Sequence, residues 1–257
     1  DFITYFETEK LEDFHNLVRA LQQVKEFRHN RRFGHPTLLG TMSPLDEILE
    51  KFAQESKERG MTVEPAGTMI YEGKAKKIFT TDRSDQVLQY FKDDATAFNA
   101  QKRGTIVDKG VVNNKVSERL FRLLEQHGIS THFIERVSGG EMLTKRVTIV
   151  PVEVVVRNVV AGSLAKRLGL KEGAAIDPAI IEFYYKDDAL GDPLVNDDHL
   201  RLLNVATPAV LREMRELGHK INAVLLPFFK ERRMMLVDFK LEFGVFHNRL
   251  ILADEIS

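Results

Sequence analysis

Apolar and polar residues alternate most cleanly near the end of the chain. Val237, Phe239, Leu241 and Phe243 point one way and Asp238, Lys240 and Glu242 the other, the period of a strand with one buried face. Arg249 to Ala253 is apolar and β-branched enough to pair with it, across a turn at His247-Asn248. The polar face sets carboxylate, ammonium and carboxylate in a row. Either it holds a cation and a phosphate, or it is an ordinary amphipathic hairpin facing water.

Helical spacing appears four times. Leu11, Phe14, Leu17, Val18, Leu21, Val24 and Phe27 form one stripe, and Leu45, Ile48, Leu49 and Phe52 another, opened by Ser43-Pro44 and closed by Gly60. Between them lies the basic stretch Arg28 to Pro36, which reads as a linker, and Gly-Thr-Met recurs at 40–42 and 67–69. Val116, Leu120, Leu123 and Leu124 mark a third helix, ended by Gly128. Thr207-Pro208 opens a long one from Ala209 to about Phe229.

Strand patterns begin after Gly67. Met69 to Thr80 reads as a hairpin with a Gly-Lys turn, and Gln86 to Phe91 as a strand leading to Asp93 and Asp94, which act on a ligand amine or cap the next element. Thr131–Arg136 and Met142–Ile149 are further strands, with Val147 to Pro151 as a link between lobes. Val152 to Val156 is a valine run expected to be buried on both faces. It delivers Arg157 towards Ala161-Gly162-Ser163, where Ser163 is expected to cap a short helix, Leu164 to Leu168. A free helix start beside a guanidinium suits an anion; a plain cap and a surface ion pair are the alternative.

Composition narrows the class. At 257 residues, with 43% hydrophobic and 29% charged residues, the chain is long enough for a sizeable core. A net charge of -1 argues against a nucleic-acid partner, and no apolar run approaches a membrane span. No cysteine is present, so thiolate chemistry is excluded, and the eight histidines lack metal-ligand spacing, so a histidine zinc site is not expected. A cytoplasmic protein is the expectation.

Several motifs in one order then resemble a known family. Tyr71-Glu72-Gly73-Lys74-Ala75-Lys76, Asp108-Lys109-Gly110 with Asn113-Asn114, Pro151-Val152-Glu153 to Val156-Arg157-Asn158, Ala161-Gly162-Ser163-Leu164, Asp192-Pro193, Val237 to Glu242 and Asp254-Glu255 resemble the SAICAR synthetases over residues 69–257. The resemblance implies an α+β, ATP-grasp-like fold with two antiparallel-sheet lobes and a nucleotide cleft between them. It divides the chain into a helical extension (1–67), a mainly β lobe (68–147) and a mixed lobe (148–257). It implies a purine-synthesis ligase that joins L-aspartate to carboxyaminoimidazole ribonucleotide using ATP and Mg2+; the sequence allows a homo-oligomer but does not fix the oligomeric state. A nucleotide-binding remnant without turnover is one alternative, because the family pattern continues past Asp-Glu-Ile-Ser; a small-molecule kinase, with the same magnesium and lysine needs, is another, and residues 1–67 have no counterpart in the family.

By the same resemblance, Lys74, Ala75, Lys76, Lys145, Lys186 and Lys240 contact the nucleotide, with Lys240, Lys76 and Asp238 as the catalytic set. Arg157, Ser163 and Asp94 meet substrate, while Glu242 and Asp254 hold the metal. Counting residues along the last hairpin adds a geometric expectation. A two-residue turn would set Glu242 against Ala253 and point Asp254 away, so a shared metal demands one extra residue in the hairpin, in the turn or as a bulge near Gly244.

Overall fold

The computed structural model describes residues 67–97 and 102–256; the two expected N-terminal helices and the basic stretch between them lie outside these residues. The described residues form one compact unit.

Two five-stranded antiparallel sheets organise it. The first runs in the order β1 (Met69–Glu72), β2 (Lys76–Thr80), β3 (Gln86–Phe91), β7 (Glu141–Lys145), β6 (Phe133–Arg136). The second is β10 (Leu194–Val195), β9 (Ala175–Tyr185), β8 (Thr148–Val159), β11 (Asp238–Phe246), β12 (Arg249–Ala253). A small hairpin, β4 (Asp94–Ala97) and β5 (Lys102–Thr105), stands apart. The expected strand Met142–Ile149 is therefore two strands in different sheets, broken at Arg146-Val147. The sheets are also stitched by hydrogen bonds: His132 N donates to Leu252 O and Leu252 N to Ser130 O, at 2.8 and 3.0 Å.

Each sheet buries one face under a helix. Helix α1 (Lys109–Gln126) places Leu120, Phe121 and Leu124 against Phe91, Phe133 and Met142. Its start is held from outside: the Asp93 carboxylate accepts from Gly110 N at 2.8 Å and from Asp108 N at 3.2 Å, so Asp93 is the cap and not an amine ligand. Gly110 is required there, since a Cβ would lie 2.3 Å from Phe91 O.

Helix α2 (Gly162–Leu168) follows β8, and α3 (Asp197–Leu202) precedes α4 (Pro208–Glu231), whose first turn is capped by Thr207. Leu211, Met214, Ile221 and Leu225 of α4 cover Val152, Val154, Val156, Phe183, Leu241 and Phe243, all almost fully buried. Each such side chain contributes about 1.5–3 kcal/mol by leaving water. The valine run is thus buried on one face only; Glu153 and Val155 look out from the other, because that face of the sheet carries charge. Among the described residues, no helix is long and apolar enough to cross a membrane.

Candidate active site

The register of the second sheet builds its outer face. Asp238 lies opposite Arg157, Lys240 opposite Val155 and Glu242 opposite Glu153; Glu182 and Tyr184 follow on β9. Side chains of alternate residues share a face, so these groups line up over one surface. Part of that surface is the floor of a cavity of about 1290 Å³ whose other walls come from β1–β3, β7 and the 188–192 loop.

Lys240 sits at its centre. Its Nζ lies 2.6 Å from Glu242 Oε1, 3.0 Å from Glu153 Oε1 and 3.9 Å from Asp254 Oδ2. Lys186 also pairs with Glu242, and Lys76 pairs with Asp254. Burial works to lower the Lys240 pKa, but the Glu242 and Asp254 carboxylates outweigh it and raise it. Burial works to raise that of Asp254, and Lys76 and Lys240 overcome it and push it below the carboxylate range. The charges therefore persist at neutral pH.

The convergence of Glu242 and Asp254 does not come from an extra residue. The hairpin is regular: Phe246 pairs with Arg249, Glu242 with Ala253, and the turn is His247-Asn248 with φ of 47° and 61°. Asp254 instead leaves the strand at φ 66°, and this left-handed step swings its carboxylate to the Lys240 side. An irregularity near Gly244 does exist, but against β8, where the register shifts between Glu242 and Gly244. A Cβ on Gly244 would lie 2.5 Å from Val147 Cγ2.

The remaining expected residues divide into two groups. Lys74, Ala75, Lys145 and Asp94 line the same cavity as Lys76, Lys186 and Lys240. Lys74 reaches across to Asp188 at 2.8 Å, Lys145 donates to Thr131 O at 2.7 Å, and Asp94 pairs with Lys92 at 2.6 Å. Arg157, Ser163 and Asp238 are brought to one another instead, on the same sheet face but outside the cavity lining. Arg157 is 5% exposed and its guanidinium makes four hydrogen bonds, leaving one Nη1 N–H for a ligand. Nε donates to Glu182 at 2.6 Å, Nη1 to Asp238 at 2.8 Å, and Nη2 to Ser163 Oγ and Tyr184 Oη at 3.0 and 3.1 Å. Burial works to raise the Glu182 pKa, but hydrogen bonds from Arg157 and Tyr184 lower it on balance. Ser163 is not the helix cap: Ala161 holds that position, because α2 begins at Gly162, and this leaves the Ser163 hydroxyl free for Arg157.

Glu153, Asp188, Gln89, His132 and Glu255 also line the cavity and were missed. Glu153 had a signal, a lone carboxylate within a valine run; the others had none. Of the four buried side-chain atoms without a hydrogen-bond partner among the described residues, three belong to this cavity: Gln89 Nε2, His132 Nε2 and Glu255 Oε2.

Among the described residues no three His, Cys, Asp or Glu side chains gather as a metal cage. Glu242 and Asp254 nevertheless meet around one cationic group, the Lys240 ammonium. Two carboxylates completed by phosphate oxygens and water suit magnesium, which is seldom caged by protein alone.

The family model for SAICAR synthetase matches residues 69–257. The phosphoribosylaminoimidazole-succinocarboxamide synthase of Chlorobium phaeobacteroides is 58% identical over 190 residues, covering 74% of this chain and 80% of that protein. The crystal structure of the Ehrlichia chaffeensis synthase is similar with a TM-score of 0.71 and 46% identity, over 74% of this chain and 82% of that one. A SAICAR synthetase in complex with ADP gives a TM-score of 0.70 and 45% identity, over 73% and 80%.

Proposed function

The chain belongs to the SAICAR synthetase family, and on that premise we propose that its cavity joins L-aspartate to carboxyaminoimidazole ribonucleotide at the expense of ATP. The observation that carries the residue assignments is the meeting of Lys240, Glu242 and Asp254 in a cavity rimmed by further lysines.

A carboxylate is a poor acyl donor. Its oxygen attacks the γ-phosphorus of ATP and ADP leaves; the aspartate amine then attacks the acyl carbon, phosphate leaves and the nitrogen loses a proton. The protein's share of such chemistry is positioning and charge stabilisation. Lys74, Lys76 and Lys240 bind the phosphates, with the Ala75 backbone in the same turn, and Lys186 supports them. Lys145 serves the base side. Glu242 and Asp254 would hold magnesium, which when bound supplies positive charge against the phosphate oxygens. Arg157 and Ser163 bind the ribonucleotide, Asp238 fixes the Arg157 fork, and Asp94 orients Lys92 at the rim. The 68–147 and 148–257 segments act as the two lobes around the nucleotide. The relative that binds ADP supports the nucleotide part of this reading.

The test is ADP release with MgATP while one substrate is withheld. Sustained release is expected only when L-aspartate and the ribonucleotide are both present. Without aspartate the first step can give at most one ADP per site; sustained release without aspartate would mean phosphotransfer to another acceptor, and nucleotide binding without any release would mean a binding protein.

Arg157→Lys separates the ribonucleotide group from the nucleotide group. Lysine keeps the charge but cannot serve four partners with a planar fork. Ribonucleotide affinity is expected to fall about tenfold or more, with MgATP affinity unchanged. Unchanged ribonucleotide binding in a titration would return Arg157 to a purely structural role.

A further inference from the structure

Arg157 keeps one Nη1 N–H for a ligand, and the direction of that donor is set by side chains outside the cavity lining. Glu182 and Tyr184 are two apart on β9 and share a face; Ser163 and Arg167 are four apart on α2 and also share one. The four side chains close around the guanidinium. Glu182 Oε2 accepts from Arg157 Nε at 2.6 Å and from Tyr184 Oη at 3.0 Å, while Glu182 Oε1 accepts from Arg167 Nη2. The Tyr184 proton is thereby committed to Glu182. Its oxygen accepts from both arginines, from Arg157 Nη2 at 3.1 Å and from Arg167 Nη1 at 3.3 Å.

This is more than the neutralisation of Glu182 requires. Arg157 alone would balance that charge, yet it also faces Asp238, and Arg167 supplies the second cation. Two guanidiniums and two carboxylates thus stand in one hydrogen-bonded group. The two carboxylates differ in freedom, because the Asp238 side chain is 39% exposed and that of Glu182 10%. Glu182 is the fixed one, drawn by Arg157 at one oxygen and by Arg167 at the other, with the Tyr184 hydroxyl between them. A planar fork held at Nε by a carboxylate that cannot turn has its plane fixed, and with the plane the direction of every N–H.

We propose that Glu182 is a positioning residue for the ribonucleotide: it aims the open Nη1 N–H of Arg157, and Tyr184 and Arg167 lock its carboxylate in place. The three act through Arg157 and make no ligand contact of their own. This rests on the assignment of Arg157 to the ribonucleotide and adds to it the groups that preorganise that contact.

A double-mutant cycle with Arg157→Lys tests this, read by titration of the full chain with carboxyaminoimidazole ribonucleotide and, separately, with MgATP. Glu182→Gln keeps the shape but turns an amide donor towards one of the guanidiniums. It is expected to weaken the ribonucleotide about tenfold and leave MgATP unchanged. In turnover the same loss is expected in the ribonucleotide KM, with kcat held. Tyr184→Phe removes only the bridging hydroxyl and is expected to weaken the ribonucleotide about threefold; it keeps the proposal testable should the glutamine variant not fold. In the Arg157→Lys background neither change is expected to weaken binding further, since no fork is left to aim. A loss that recurs in full in that background would overturn the proposal and mean a direct ligand contact. A loss shared by the ribonucleotide and MgATP would overturn it too, as the mark of a structural role. The two levels of failure are distinct. Unchanged ribonucleotide binding in Arg157→Lys alone removes the underlying assignment and this proposal with it. A loss there, with none in Glu182→Gln or Tyr184→Phe, overturns only the positioning role.

Discussion

Lys240→Met is expected to lower kcat/KM for ATP by roughly 10³-fold, the loss seen when one preorganised cation or donor is removed from a developing charge. By the rate relation this is about 4 kcal/mol of transition-state stabilisation. Arg249→Met, on the adjoining strand but exposed at the hairpin turn, is expected to change it little. The fold should survive the first change, because Lys186 still neutralises Glu242, which is 2% exposed. A nucleotide titration and steady-state kinetics on the two variants decide the matter. Equal effects would remove Lys240 from the phosphate site.

The second large effect is on stability and comes from His132. Burial pushes its pKa down from 6.5 to about 3, with Asp254 only partly opposing. The unfolded chain therefore binds a proton in the window between these values that the folded chain does not. Stability rises with pH through that window and is lost as pH falls below 6.5. Asp254 and Glu182, both held low in the folded protein, add their own loss mainly below pH 5, where carboxylates of the unfolded chain take up protons. Between pH 7 and pH 5 the ligand-free protein is expected to lose about 2 kcal/mol at 1.36 kcal/mol per unit. Urea denaturation at the two pH values measures it, with His132→Gln as the control. A slope that persists unchanged in the control would assign it elsewhere.

Elements with a regular period were legible. Strand β3 appears at its expected bounds, and α4 covers the expected stretch after Thr207-Pro208 because nothing in the tertiary structure opposes its helical pattern. The 94–105 hairpin and α3 escaped notice because four- and six-residue elements carry too few positions to show a period. The site was legible by residue type, since lysines and carboxylates on strands otherwise built for burial demand an explanation. Its geometry was not. Register counting assumes an extended chain, and Asp254 departs from it by one dihedral angle that no pattern of side chains encodes. Gln89 and His132 were invisible for a related reason: a single polar residue in a strand looks the same whether it meets water or a closed cavity.

The cavity's principal lysines are each matched with carboxylates: Lys240 with Glu242 and Glu153, Lys186 with Glu242, Lys76 with Asp254, Lys74 with Asp188, Lys92 with Glu72 and Asp94. Such a lattice gives little to a visitor of one sign. A bare anion must separate ammonium from carboxylate and strand the latter; a bare divalent cation must do the reverse. Only an ion that brings both signs together lets every pair part at once, carboxylates turning to the metal and lysines to the phosphates. On the proposed nucleotide and metal assignments, such a lattice would favour a chelated polyphosphate over either of its halves before any chemistry begins.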